Sequence, residues 1–340
     1  MTDYAGVRRT GRIGAVLVAA ASLVVAASLA ACGSSGAQLA PRVAPTDVAP
    51  QPVGVQDPAE LPEESETGPG DCDPLASYRP GSDQPTVTPG STMDEIVERG
   101  RLVVGVAQNT FLFGYRDPFT GQLAGFDVDL AREIAGALFG DPERIQFQAV
   151  SSGERIPVLE NNEVDIVIST MTMNCERWES VTFSTEYYSA GQKVLVLAAA
   201  ESEGIEGIDD LGGQKVCAAA GSTSIRNIAD APSEPIPVAV PDWTDCLVML
   251  QQGQVDAIST DDTILAGLAA QDPNARVVGE RFSEEPYGIA MNRSNLDLVR
   301  YVNAVLEQLR TDGTWAEIYQ RWLGDLGEQT PDPPPARYQD

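Results

Sequence analysis

The sequence predicts an α/β protein built from two lobes of similar topology. From Arg101 onward, short apolar strand patterns alternate with amphipathic helix patterns, as in proteins with parallel sheets. Two segments, 155–169 and 246–260, also echo each other: each is a helix ending in Leu, four non-apolar residues, then Val-Asp and an apolar strand. Their first residues are 91 positions apart. Helix–turn–strand units often look alike, but an internal echo of this kind favours two lobes.

The first strand and helix of the folded part are clearly marked. Residues 102–106 form a short apolar run, and residues 125–130 lead into an amphipathic helix that continues to Leu138. Parallel α/β sheets bind ligands at the carboxyl ends of their strands. Two such sheets facing each other therefore predict small-molecule binding in the cleft between the lobes.

The amino-terminal segment, residues 1–31, is predicted to be a signal peptide. Arg8, Arg9 and Arg12 precede an apolar run over 13–27, which has signal-peptide length and is short for a membrane span. The run Leu-Ala-Ala-Cys-Gly that ends at Gly33 resembles the bacterial lipobox, which implies a lipid on Cys32; the alternative is an ordinary signal peptide with an incidental Cys. Two acyl chains would hold the protein on the extracytoplasmic face of the cell membrane.

Residues 32–90 are predicted to be a disordered tether behind the lipidated Cys32. The stretch is rich in Pro, Gly, Ser, Asp and Glu and poor in large apolar residues, so it buries too little surface to offset the entropy of ordering. Residues 326–340 are predicted to be a disordered tail. About 250 residues remain, which is enough for two modest lobes.

The charge of the chain limits its partners. The formal net charge is −28, which excludes nucleic acid as a partner on electrostatic grounds. An anionic ligand would have to be held by local arginines. The chain has no His and so lacks the commonest general base and metal ligand; no metal site and no cofactor are predicted.

Four cysteines besides Cys32 are present, namely Cys72, Cys175, Cys217 and Cys246. An even number in an exported chain favours disulfides over a metal site. Three pairings are open on this count alone.

Residues from about Ser91 to Leu323 resemble the bacterial family 3 solute-binding proteins, the polar amino-acid receptors of ABC importers. The matching runs follow the order of that family over the whole folded part: 125–130, 155–159, 170–177, 181–184, 187–192, 210–216, 221–224, 255–257, 286–291 and 313–322. The lipobox and the disordered composition of the tether are similar to the actinobacterial glutamine/glutamate-binding lipoprotein branch.

The resemblance implies a bilobal periplasmic-binding-protein type II fold in which the chain crosses twice between lobes. The crossings are expected near 195–197 and 285–288. Lobe 1 would comprise residues 91–195 plus 289–325, and lobe 2 residues 196–288. The implied function is that of a monomeric, lipid-anchored receptor that binds L-Glu, L-Asp, L-Asn or L-Gln and delivers it to an ABC permease.

The resemblance also implies how lobe 1 holds the backbone of the ligand. Arg177 matches the arginine that grips the α-carboxylate, for which a planar guanidinium fork is suited; the alternative is a surface Arg paired with Glu176 or Glu179. Thr172 matches a hydroxyl and amide on the same carboxylate. Thr170 matches the position whose carbonyl or hydroxyl receives the ligand ammonium.

Lobe 2 is expected to contribute a carboxylate to the ammonium group. Asp261 matches that carboxylate, and Asp262 would take the role if the alignment is shifted by one. Ser222 and Thr223 open a helix whose amides would face the cleft, although plain helix capping fits the same residues.

The side-chain end of the ligand is expected to meet Ser152 and Arg155, which match positions that hold the distal carboxylate in glutamate/aspartate receptors. The alternative is an exposed Arg155 paired with Glu154. The sequence departs from the glutamate receptors in two places: Ala107 replaces a basic residue, and Thr260 replaces a histidine found in some members. These departures leave room for Asn or Gln as the ligand.

The lobe assignment that the resemblance implies selects one disulfide pairing. A bridge between lobes would lock the hinge, so Cys217 is expected to pair with Cys246, and therefore Cys72 with Cys175.

Two rival functions use the same fold. Dehydratases and lyases would need a spare acid or base in the cleft, and none is evident, so no enzymatic activity is predicted. An amino-acid sensor would present the closed protein to a membrane partner instead of a permease.

Overall fold

A computed structural model of the chain describes residues 50–61, 72–82, 84–199, 202–326 and 330–340. The predicted signal peptide and Cys32 lie outside the described residues. Within those residues, no helix combines the length and the apolar character that a membrane crossing requires.

The described residues form a mixed α/β fold. Its helices are α1 (Thr92–Arg99), α2 (Phe126–Phe139), α3 (Arg155–Glu160), α4 (Cys175–Trp178), α5 (Thr223–Ala229), α6 (Trp243–Gln251), α7 (Asp262–Ala269), α8 (Leu296–Asp312) and α9 (Thr314–Leu323). Its strands are β1 (Ala76–Ser77), β2 (Leu102–Val106), β3 (Asn109–Thr110), β4 (Gly114–Arg116), β5 (Leu123–Ala124), β6 (Ile145–Ala149), β7 (Ile166–Val167), β8 (Val181–Phe183), β9 (Tyr188–Leu197), β10 (Lys215–Ala219), β11 (Ile236–Val240), β12 (Ala257–Asp261), β13 (Ala275–Val278), β14 (Glu284–Tyr287), β15 (Ala290–Asn292) and β16 (Arg337–Tyr338).

Two sheets form the two predicted lobes, each around its own apolar core. The lobe 1 sheet has the order β6-β2-β7-β15-β8, and the lobe 2 sheet the order β11-β10-β12-β9-β13. In each sheet the first three strands listed run parallel, with the first in sequence at the centre. The two lobes therefore share one strand–helix–strand–helix–strand topology, and the repeat read from the sequence is confirmed.

Two antiparallel strands, β9 and β14, join the lobes. Tyr188 and Ala190 at the start of β9 pack in the lobe 1 core, whereas Val194 and Leu195 pack in the lobe 2 core. Strand β14 pairs with residues 188–191 of β9. The second connection between the two sheets is β14, at Glu284–Tyr287. The first was predicted at 195–197 and lies a few residues earlier, because the long strand β9 enters the lobe 2 sheet from residue 192 onward.

The cysteines are paired as predicted. Cys72 is bonded to Cys175 and Cys217 to Cys246. The first bridge joins the segment before lobe 1 to the start of α4, and the second joins β10 to α6 within lobe 2. Neither bridge links one lobe core to the other.

Part of the predicted tether packs against the lobes. Gln56 exchanges two backbone hydrogen bonds with Ala239 at the edge of the lobe 2 sheet, at 2.8 and 2.9 Å. Asp57 forms an ion pair of 2.5 Å with Lys215, and Val55 packs against the lobe 2 core. The prediction of disorder over 32–90 is therefore wrong for residues 50–61. It was based on the composition of that segment alone, which contains no information on whether an edge strand such as β11 is available for backbone pairing.

The carboxyl-terminal segment also differs from the prediction of a disordered tail. Strand β16 pairs with β1 in a two-stranded parallel sheet, and Asp340 forms an ion pair with Arg300 of α8 at 2.5 Å. The side chain of Asn303, fully buried, donates to Tyr78 O at 2.7 Å. Residues 72–82 and 330–340 thus pack together against lobe 1. The predictions of disorder are therefore wrong for residues 72–82 of the tether and for residues 330–340 of the tail.

Candidate ligand-binding cleft

The cleft lies where the carboxyl ends of the two sets of parallel strands face each other. Its lobe 1 wall consists of the segments that follow β2, β6 and β7, and its lobe 2 wall of those that follow β10, β11 and β12. In each sheet the order of strands reverses beside the central strand. Ligand sites in α/β folds occur at such points.

The two walls touch through backbone. A Cβ atom on Gly221 of lobe 2, where φ is +75°, would lie 2.7 Å from the Cα atom of Gly153 in lobe 1. A Cβ atom on Gly267 of α7 would lie 2.7 Å from Phe111 O. Glycine at 221 permits both the positive φ and this approach, so the described arrangement of the lobes is a closed one.

Arg177 reaches into the cleft from α4. The side chain of Asn174 caps this helix by accepting a hydrogen bond from Arg177 N at 2.8 Å. The guanidinium donates to Thr172 O at 2.7 Å and to Gly221 O across the cleft at 3.3 Å. Burial lowers the pKa of Arg177, and the nearby carboxylates of Glu285 and Asp261 oppose that shift. The alternative of a surface arginine is excluded because Arg177 is buried.

Arg155 is a second buried cation in the same cleft. Its guanidinium donates to the carbonyls of Ser152 at 3.0 Å, Ser169 at 3.0 Å and Thr170 at 3.3 Å. Burial, followed by the like charge of Arg177, lowers its pKa to about 9. Among the described residues, neither arginine has a carboxylate oxygen within 4.0 Å.

Glu154 does not pair with Arg155. Its carboxylate accepts from the N–H and the hydroxyl of Ser151, both at 2.8 Å. The alternative of an exposed helix-start arginine is therefore excluded, since Arg155 is only 3% exposed.

The structure separates the two adjacent aspartates. Asp262 forms an ion pair with Arg281 at 2.6 Å. Asp261 ends β12 inside the cleft, where one carboxylate oxygen accepts from the Tyr287 hydroxyl at 2.5 Å and the other is buried without a hydrogen-bond partner among the described residues. Burial, and then the charge of Glu285, raises the pKa of Asp261 to about 8. Asp261, and not Asp262, is therefore the carboxylate that needs a donor.

The hydroxyls of Thr172 and Thr223 meet across the cleft at 3.3 Å. Both donate to one oxygen of Glu285, at 2.6 and 2.7 Å. Glu285 was expected only as part of a hinge crossing, and its place in the cleft was not predicted from the sequence. The one signal in the sequence was a glutamate inside the expected crossing 285–288, because a buried charge there needs hydrogen-bond partners.

Thr170 is held in an uncommon conformation by a buried carboxylate. Its φ is +41°, and its N–H donates to Asp127 at 3.0 Å, while the Tyr187 hydroxyl donates to the other oxygen at 2.8 Å. Burial raises the pKa of Asp127 to about 7. Asp127 lies in the run 125–130 that carries the resemblance, but its contact with Thr170 was not predicted.

The remaining predicted residues have distinct positions. The Ser222 side chain accepts from Ile225 N at 3.3 Å and so caps α5, as in the plain capping alternative. Ser152 lines a small space between the lobes together with Ala107 and Thr170. Thr260 is buried, and its hydroxyl lies 3.0 Å from that of Ser224.

Comparison with known proteins places these features in context. The sequence pattern of the bacterial extracellular solute-binding proteins, family 3, matches residues 102–325. The ABC transporter glutamine-binding protein GlnH of Bacillus subtilis is 38% identical over 68% of this chain and 84% of its own length. The glutamate-binding protein GluB of Corynebacterium glutamicum is 31% identical over 67% of this chain and 80% of its own length. A solved structure, an ancestral arginine-binding protein bound to glutamine, has a TM-score of 0.62 and 36% identity over 66% of this chain and 99% of its own.

Proposed function

This chain belongs to the bacterial extracellular solute-binding proteins of family 3, and we propose that it is a receptor that binds a polar or acidic L-amino acid between its lobes and delivers it to an ABC permease. The candidate ligands are L-Glu, L-Asp, L-Asn and L-Gln. Two relatives are named as a glutamine-binding protein and a glutamate-binding protein. These names support this class of amino-acid ligand.

The observation that carries the proposal is the charge pattern of the cleft. Two buried guanidiniums have no carboxylate within ion-pair distance among the described residues, and one oxygen of the buried Asp261 has no donor. Buried charges are costly unless they are paired. An amino acid supplies an α-carboxylate and an ammonium group of opposite charge to these partners, and an acidic side chain supplies a second carboxylate.

The geometry suggests which group binds where. Arg177 would grip the α-carboxylate with its planar fork. Asp261 would accept from the ammonium group, with the carbonyl of Thr170 as a second acceptor. Arg155 and Ser152 would meet the end of the side chain. The hydroxyl of Thr172, which was expected on the α-carboxylate, donates to Glu285 instead, which leaves its backbone N–H for that role.

A screen of the twenty amino acids by isothermal titration calorimetry tests the proposed function. The protein should be residues 33–340, because residues 50–61 and 72–82 pack against the lobes. Saturable binding of at least one of the four candidates, with no comparable binding of Leu, Lys or Gly, is the expected result. No heat with any amino acid would contradict the proposal.

Substitution of Arg155 by alanine should discriminate between acidic and amide ligands. We expect a loss of about 10- to 100-fold in affinity for Glu and Asp, because a full charge at the side-chain end loses its partner. The loss for Gln and Asn should be several-fold smaller. Arg144→Ala, an exposed site at 55% side-chain exposure, is the matched control, and equal losses for acids and amides would refute the role of Arg155.

We further propose that the receptor is held on the extracytoplasmic face of the membrane by a lipid on Cys32. The lipobox-like run before Cys32 supports this proposal. In Cys32→Ser we expect loss of lipidation, with the protein either uncleaved or released from the membrane fraction. Metabolic labelling with a fatty acid and fractionation measure both effects; unchanged processing and membrane retention would contradict the anchor.

A further inference from the structure

Glu285 lies on β14, the second strand between the lobes, and is 2% exposed. Four side chains donate to its carboxylate. Thr172 and Thr223 donate to one oxygen at 2.6 and 2.7 Å, and Asn227 and Ser283 donate to the other at 2.9 and 2.7 Å. Hydrogen bonds to an ionised acceptor are about twice as strong as neutral ones.

The four donors to Glu285 belong to different lobes and segments of the protein. Thr172 belongs to lobe 1, whereas Thr223 and Asn227 belong to α5 in lobe 2. Asn227 also donates to Gln192 of the first connecting strand at 2.7 Å. Glu285 is therefore the point at which both lobes and both connecting strands are joined through side chains.

We propose that Glu285 is a positioning residue that clasps the two lobes in their closed arrangement, and thereby sets how tightly the proposed amino-acid ligand is held. This inference rests on the proposed function. Opening of the cleft must move Thr172 away from Thr223, so Glu285 cannot keep both sets of bonds in an open state. A group that bonds fully only in one of two states shifts the population towards that state.

The charge of Glu285 also acts on the ligand-binding groups. It opposes the lowering of the Arg177 pKa, and it contributes to the raised pKa of Asp261. The other groups that influence Asp261 are Asp262, Arg155 and Tyr287. Removal of the charge at 285 should therefore change the pH dependence of binding, which loss of packing alone would not do.

The test compares Glu285→Gln with Glu284→Gln. Residue 284 is the adjacent glutamate on β14 and is exposed, so both variants remove one charge and keep the side-chain length. We expect Glu285→Gln to raise the ligand dissociation rate about 10- to 100-fold, with little change in the association rate. Glu284→Gln should match the wild type, as measured by stopped-flow fluorescence with the amino acid identified in the screen.

The pH profile gives the second readout. Binding needs ionised Asp261, so affinity falls as pH drops through its pKa. Glu285→Gln should move this fall to lower pH, because a like charge near Asp261 is gone. Asn227→Ala, which removes a lobe 2 donor and keeps the charge, should raise the dissociation rate without moving the profile, and it also serves if Glu285→Gln does not fold.

Equal dissociation rates for Glu285→Gln and Glu284→Gln, or for Asn227→Ala and the wild type, would overturn the clasp. Small-angle X-ray scattering without ligand separates this failure from failure of the proposed function. The clasp predicts a larger radius of gyration for Glu285→Gln, or for Asn227→Ala, than for Glu284→Gln, whether or not any amino acid binds. An equal radius would also overturn it. A wild-type protein that binds no amino acid contradicts the proposed function instead.

Discussion

Replacement of Arg177 by alanine should strongly weaken the binding of every amino-acid ligand, because all of them share the α-carboxylate that Arg177 is proposed to grip. Truncation of one partner in a buried, hydrogen-bonded charge pair costs about 2–5 kcal/mol, or roughly 30- to 5,000-fold in affinity. The guanidinium also donates to Thr172 O and Gly221 O, so the variant additionally loses a contact across the cleft. Isothermal titration calorimetry with Glu, Asp, Gln and Asn measures the effect.

Two control variants test whether the loss of binding is specific to the guanidinium group of Arg177. Arg177→Lys keeps the charge but loses the planar fork, and it should recover only part of the affinity. Arg321→Ala removes an exposed arginine, with a side chain 57% exposed, and should leave binding unchanged. An Arg177→Ala protein that is folded by circular dichroism and binds any of the four ligands at wild-type affinity would refute the assignment of the cleft.

Replacement of Asp261 by asparagine should act in opposite directions on binding and on stability. Binding should fall about 30-fold or more, because the ammonium group loses its charged acceptor. The free energy of unfolding of the ligand-free protein should rise at neutral and alkaline pH, because a buried carboxylate without a full set of donors is removed. The amide oxygen of asparagine can still accept from the Tyr287 hydroxyl.

The stability effect has a defined pH window. Burial raises the pKa of Asp261 in the folded state to about 8 from an ordinary value of 3.8. Stability linked to such a raised pKa is fully present below the unfolded value and is lost as pH rises through the folded value. The pKa of Asp127 is also raised, to about 7, so Asp127 also lowers the free energy of unfolding as pH rises. This contribution is the same in the wild type and in Asp261→Asn and cancels from their difference.

The asparagine variant should therefore be close to the wild type near pH 4 and exceed it by on the order of 5 kcal/mol near pH 8. Chemical denaturation of the ligand-free proteins at several pH values measures the difference. A gap that is constant from pH 4 to pH 8 would show that Asp261 is not a buried carboxylate with a raised pKa.

The candidate site was predicted in part. Arg177, Arg155 and Asp261 were named from the sequence, and all three lie in one cleft because they follow strand ends on facing walls. Asp127 and Glu285 were not predicted as site residues, although they contact Thr170 and Thr172. Their partners lie 43 and 113 positions away along the chain, and no local pattern reports contacts at that separation.

The sequence by itself determined the two-lobed α/β topology. The periodicity of each strand and helix is a local pattern, because it depends on residues that are close along the chain. Each copy of the repeat, at 155–169 and at 246–260, is local in the same sense. Such patterns can therefore be read from the sequence. The pairing of Cys217 with Cys246 followed from the lobe assignment that the family resemblance implied.

Only the tertiary structure decided which charged side chain meets which partner. It distinguished Asp261 from Asp262, joined both lobes through Glu285, and packed residues 50–61 and 330–340 against the lobes. These contacts depend on which edges and walls come together when distant segments fold. Hydrogen bonds and ion pairs act over only a few ångströms, so neighbours along the chain do not determine them.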